Sequence, residues 1–315
     1  MNVMTPYWIL VKREIWEHRS FWIVPIVIGC LAILGTLHGS GALIVAAHQG
    51  MVSINGNISM TLVDRVRAAR AFILGSAGIF NVAMLLMVWF YLMDSLYADR
   101  KDRSILFWKS LPLSDSRLVL SKLFTGMVTA PALMLLIVII AEIIIGILFV
   151  IAAGIAGINL LNVALQPGTI ILAWITLAFV LIVQSIWLLP FYGWFLLCSA
   201  WAKKLVLAWT VLIPLGFMAA EGIIFHTGYI AHAIFGHIGR MFTMLMSGRY
   251  SINNVSIGSS IGINNGHEPL TSASAIMTLG SVGRMFALPE MWIGVGIGII
   301  FILGAIWLRH NRSEI

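Results

Sequence analysis

Two carboxylates interrupt long apolar runs of this chain: Glu142 in LIVIIAEIIIGI and Glu221 in GFMAAEGIIF. An unpaired charge at mid-bilayer costs about 2.5–3.5 kcal/mol or more, so an acid in such a run is a candidate ion, proton or pathway group. Glu142 follows Lys122 by 20 residues, about 30 Å of helix, and Glu221 lies about 25 Å beyond Lys204. Both fall toward the same leaflet, where they can line the exit of a translocation pathway, hold helices together, or pair with Arg or His from the loops. His226, His232 and His237 follow at spacings of six and five. That is not the i, i+4 interval that places two ligands on one helix face, so no metal site is assigned. No nucleophile–base pair and no paired catalytic carboxylates occur in a water-accessible loop, and the chain is expected to be no enzyme. None of its six lysines follows a glycine, which excludes the G-x-x-x-x-G-K-[ST] phosphate loop.

The elements that carry these groups are set by composition. Hydrophobic residues make up 60% of the 315 positions and charged residues 10%, where a soluble domain has about 25% charged. Mean hydropathy is +1.00. The expectation is an all-α polytopic membrane protein. A span needs about 20 mainly apolar residues, and six runs qualify: about 21–46, 72–96, 124–152, 169–200, 205–226 and 290–308. The first begins too late and runs too long for a cleaved signal peptide and reads as a retained anchor. The fourth exceeds one crossing, and Pro190 with Gly193 predicts a kink near its end. Gly294 and Gly298 form a GxxxG in the sixth, a pattern that permits close helix packing. Cys30 and Cys198 both sit in apolar runs, which argues against a structural disulfide or a zinc pair.

Lys and Arg counts set the expected orientation. The two tails, the 97–123 loop and the turn at Lys203–Lys204 hold 13 of them, against six on the other side. Both termini are therefore expected in the cytoplasm, and the net charge of +7 records orientation with no need of nucleic acid. Residues 5–19 place Arg13, Glu14, Glu17 and His18 on one helical face. Trp8, Ile9, Val11, Ile15 and Trp16 cover much of the other, interrupted by Lys12 and Arg19, whose long stems can snorkel. The pattern is that of an interfacial amphipathic helix or of a cytosolic extension of the first span. The extracytoplasmic segment 227–289 divides into an apolar first part, an interfacial or re-entrant helix, and a Ser-, Asn- and Gly-rich loop.

The remaining soluble-facing piece, 97–123, holds a charge cluster at Asp99–Arg103, then Ile105, Leu106, Phe107 and Trp108, then Leu111-Pro112. Pro112 ends any helix at Leu111, and Ser114 or Asp115 can cap the next. Bulky apolar residues in a water-facing loop suit insertion into a groove of another protein, or anchoring of Phe107 and Trp108 among lipid headgroups.

This stretch resembles the loop between spans two and three of ABC-2-type transporter permeases. The similarity rests on the acidic–Arg pair Asp99-Arg100, the apolar run Ile105 to Trp108, Leu111-Pro112, Ser114 and Lys122. Asp99 stands where Glu is common in that family and Arg103 where Gly is common. The resemblance covers the whole chain in layout and about 25 residues in sequence. It implies a coupling helix at 103–111 whose Arg103, Ile105, Leu106, Phe107, Trp108 and Leu111 dock on a separate ATPase. ATP and Mg would be held by that subunit, this chain binding no cofactor. It implies a second copy or a related permease chain as partner, surrounding membrane lipids, and a bacterial inner-membrane location. The activity implied is export of a lipid, amphipathic peptide or drug-like molecule. An ion-coupled transporter or channel using Glu142 and Glu221 is the alternative reading.

Overall fold

The computed structural model describes residues 4–48, 62–102, 114–155, 167–247 and 279–311. Every regular element among them is helical, and six helices are long and apolar enough to cross a membrane. The chain is thus a multi-pass helical membrane protein in its architecture. Helix α1 covers Met4–Glu17 and α2 Ser20–His48, and α3 runs from Leu62–Lys101. Helix α4, Asp115–Phe124, passes through a π turn at Thr125–Thr129 into α5, Ala130–Ile155. Helix α6 (Pro167–Trp187) carries the fourth candidate span, α7 (Leu189–Trp201) follows it, and α8 covers Val206–Ile224. Helix α9 is Tyr229–Ser247, α10 is Leu279–Gly283, and α11 is Pro289–Asn311.

The apolar runs locate the spans, but the helices outrun them. The helix of the second crossing begins at Leu62, ahead of the span at Ile73, and the third begins at Asp115 as one nearly continuous element. Pro131 explains the π turn, because it offers no N–H to the preceding turn. The ladder shifts register there, and the Ala130 N–H reaches the Thr125 carbonyl. In the fourth apolar run the break falls at Leu188, with Pro190 placed in the first turn of α7, where its missing N–H costs nothing. The expected kink is a one-residue interruption, with the Leu188 N–H still bonded to Gln184 and its carbonyl to Tyr192.

Helices α3 and α6–α7 run side by side in one direction, since Asn81 pairs with Gln184 and Leu96 with Ser199. Around them Phe80, Met84, Val88, Leu92, Trp187, Tyr192, Leu196 and Met291 form the buried core. Helix α11 packs on α7 through glycines. A Cβ on Gly193 would lie 2.6 Å from the Gly298 carbonyl oxygen, and one on Gly298 would lie 2.8 Å from the Leu189 backbone. Close backbone approach requires glycine at both positions. The GxxxG is thus an intramolecular packing seam.

Helix α1 departs from its helical-wheel reading. Leu10, Val11 and Glu14 are buried against the protein, with His18 partly so. Ile9, Lys12, Trp16 and Glu17 are exposed. The supposed water-facing acid points inward because the Lys122 ammonium lies there, on an element 108 residues away. A wheel drawn on α1 alone carries no such information.

Candidate coupling site at the basic end

The basic end of the bundle gathers α1, the close of α3, the start of α4, the close of α7 and the close of α11. At its centre lies a charged cluster. Lys122 on α4 places Nζ 3.1 Å from Glu14 Oε1 and 3.5 Å from Asp99 Oδ1. Arg309 on α11 reaches Asp99 Oδ2 at 3.1 Å and Asp115 Oδ1 at 3.3 Å. Tyr91 donates its hydroxyl to the second Glu14 oxygen at 2.9 Å. Glu14, Asp99, Lys122 and Arg309 are all at most 5% exposed.

Local periodicity delivers each group. On α3 the buried positions Met84, Val88, Tyr91, Ser95 and Asp99 recur at three- and four-residue steps, one helical face, so the acid continues the core stripe. On α4 and into the π turn Leu118, Ser121, Lys122 and Thr125 do the same. His18 closes the site from the bend between α1 and α2. Its ring meets Tyr91 edge-on at 4.8 Å, and its Nε2 lies 3.8 Å from Glu14. Burial lowers its pKa below the ordinary value of 6.5, against the opposing pull of Glu14.

The pair Asp99-Arg100 divides its work between two neighbours. Asp99 joins the cluster, while the Arg100 guanidinium donates to the carbonyls of Ser199 and Ala202 at the end of α7. Ser199 in turn accepts the N–H groups of Leu96 and Tyr97 at 3.0 Å each. Two adjacent residues thereby fix α3 to α4, α7 and α11 immediately before the 103–113 connection. Asp115, immediately after it, is held by Arg309. Ser114 occupies the N-cap position of α4 without a side-chain capping bond.

The residues expected to dock a partner, Arg103, Ile105, Leu106, Phe107, Trp108 and Leu111, lie outside the described residues. Both flanks of their segment are described, and both enter the cluster. Sequence reasoning singled out Asp99 and Lys122 but missed Glu14, Tyr91, Asp115 and Arg309 as parts of one site. The usable signal was an acid, Glu14, on the face of α1 that also carries Leu10.

The two intramembrane acids are placed apart. Glu142 on α5 is buried where three helices meet, accepting from Ser76 Oγ on α3 at 2.9 Å and from Trp174 Nε1 on α6 at 2.7 Å. Glu221 on α8 accepts from Thr227 Oγ1 at 2.8 Å and from the N–H groups of Tyr229 and Ile230 at 2.6 and 2.8 Å. That is the geometry of a carboxylate capping the start of α9. An open apolar depression lies at the same turn, lined by Phe217, Ile224, Phe225 and Tyr229. The three histidines do not converge. His226 and His232 are exposed, while His237 stacks on Trp187 at 4.5 Å and shares hydrogen bonds with its backbone carbonyl and indole. No group of three metal-ligating side chains assembles among the described residues.

The chain matches no protein-family model, no curated protein and no solved structure.

Proposed function

We propose that this chain is the transmembrane permease subunit of an ATP-binding cassette transporter in a bacterial inner membrane. It works as a pair, with itself or a related chain, and exports a lipid, amphipathic peptide or drug-like molecule. A separate ATPase subunit binds the 103–111 segment and supplies the energy. In this reading both termini and the basic end face the cytoplasm, and α1 lies at the membrane surface beside the ATPase.

The observation that carries the reading is the seating of both flanks of that segment. Asp99 and Arg100 before it, and Asp115 and Lys122 after it, are bonded into α1, α7 and α11. A displacement applied at the loop is passed to these three elements instead of being absorbed by a slack connection. Coupling of ATP hydrolysis to alternating access needs such an element, with different contacts in each state. Phe107→Asp and Trp108→Asp are expected to abolish transport and co-purification of the ATPase while membrane insertion stays intact. Normal recovery of the ATPase with both variants refutes the docking role.

Burial of Glu142 at a three-helix junction favours one second reading, ion-coupled transport. Gradient-driven transport by the purified chain alone would establish it.

A further inference from the structure

The outward face of α1 has the chemistry of a headgroup site. Trp16 is 72% exposed and Ile9 62%. Lys12 holds its ammonium 5.2 Å over the Trp16 ring, and Arg19 is exposed one turn further on. Arg13 is neutralised by Glu17 at 2.8 Å. Among the described residues no carboxylate pairs with Lys12 or Arg19. The two acids of α1 are taken up elsewhere, Glu14 by Lys122 inside and Glu17 by Arg13 at the surface.

We propose that Lys12, Trp16 and Arg19 bind the headgroup of an anionic phospholipid. The inference rests on α1 lying at a membrane surface and does not need an ATPase. Continuity with the first span fixes the occupant. The exposed positions Ile9, Lys12, Trp16 and Arg19 run on at the same three- and four-residue steps into Trp22, Ile23 and Ile26 of α2, a face that meets acyl chains. Bonds from Phe21 to the His18 carbonyl and from Trp22 and Ile23 to the Arg19 carbonyl start α2 directly beyond the bend. The head of a lipid-facing stripe is where headgroups lie. An indole ring is at home at that depth. Two uncompensated cations beside it select a lipid of net negative charge over a zwitterionic one. Lys12 above the ring keeps its ammonium within reach of a phosphate while its stem covers apolar surface.

The cluster gives this site a consequence. Glu14 projects from the opposite face of the same helix, so a lipid bound outside bears on the helix that supplies the inner anion. Anionic lipid is therefore expected to stabilise the basic end.

The test uses the full-length chain in zwitterionic detergent, melted while phosphatidylglycerol or phosphatidylcholine is titrated in. Phosphatidylglycerol is expected to raise Tm saturably and phosphatidylcholine to do much less. Lys12→Gln and Arg19→Gln should each raise the half-saturating phosphatidylglycerol concentration about fivefold, from about 1 kcal/mol per basic residue near an anionic surface. Lys12→Arg should restore it, and Arg284→Gln, an exposed arginine elsewhere, should leave it unchanged. Restoration by Lys12→Arg separates lost binding from damage to the fold. Equal response to the two lipids, or an unshifted midpoint in the double variant, overturns the proposal. Loss of ATPase co-purification in Lys12→Gln with an unchanged lipid response also overturns it and assigns the face to a protein. Intact ATPase binding in every variant bears on neither outcome, so the two readings fail separately.

Discussion

Lys122 and Glu14 meet at 3.1 Å, from helices whose sequence positions differ by 108 residues, with both side chains at most 4% exposed. Asp99 lies 3.5 Å from the same ammonium, so Lys122 is the cation between two carboxylates of different helices. Removing charges from water is costly, and such a group is stable only while its partners remain.

Lys122→Met is therefore expected to be severe, leaving Glu14 and Asp99 without their shared cation at a cost of about 3–5 kcal/mol. Glu14→Leu combined with Lys122→Met should recover much of that loss, because Asp99 keeps Arg309 and no uncompensated pair of anions remains. Thermal melts of the two single variants and the double variant decide it. Additive effects would show that the two residues act independently.

His18 predicts a pH dependence. Its folded-state pKa lies below the ordinary 6.5, chiefly through burial, with Glu14, Glu17 and Asp94 pulling it up and Lys122 pushing it down. The unfolded chain then binds the proton more readily, so stability falls as pH drops through 6.5 and levels off below the folded value. His18→Phe keeps an aromatic edge against Tyr91 and should flatten this part of the profile. Melts from pH 8 to 5.5 in both forms read the difference, and an identical slope would assign it to other groups.

These two predictions stand on contacts that the sequence did not reveal, and the reason is physical. Span positions follow from apolar run length, a local property, so all six were legible. Close packing at Gly298 was half legible: the GxxxG shows a small-residue face, but its partner Gly193 lies on another helix. Arg309 counted as one more cytoplasmic base in the orientation tally, although it is 5% exposed and bonded to Asp99 and Asp115. Charge pairing over 100 to 200 residues leaves no trace in spacing. The inward turn of Glu14 was legible only in part, from its place on the Leu10 face of α1, because its partner Lys122 lies 108 residues away.

Gly298→Ala tests the α7–α11 seam. The added methyl would lie 2.8 Å from backbone and side-chain atoms of Leu189, and backbone cannot swing aside as a side-chain tip can. The helices must separate, with a cost of about 1–3 kcal/mol or more. Gly296→Ala, where nothing lies within 4 Å of the added carbon, is the matched control on the same helix. Equal Tm values for the two variants would show that the close approach contributes nothing to stability.

Glu221 and Glu142 give the last prediction, since capping and translocation make different demands on a carboxylate. Glu221→Ala strands the Tyr229 and Ile230 N–H groups at the start of α9 and should cost about 1 kcal/mol, the usual worth of a helix cap. Hydrogen exchange at those two amides should rise, with little change elsewhere. Glu221→Gln retains acceptor capacity and should protect them in part. Glu142→Gln likewise keeps an oxygen for the Trp174 indole, so the junction of α3, α5 and α6 should melt close to the parent. A transport assay on that folded variant then isolates the charge itself. Activity near the parent level assigns Glu142 to helix packing, and loss of activity without loss of Tm assigns its charge to the transported species.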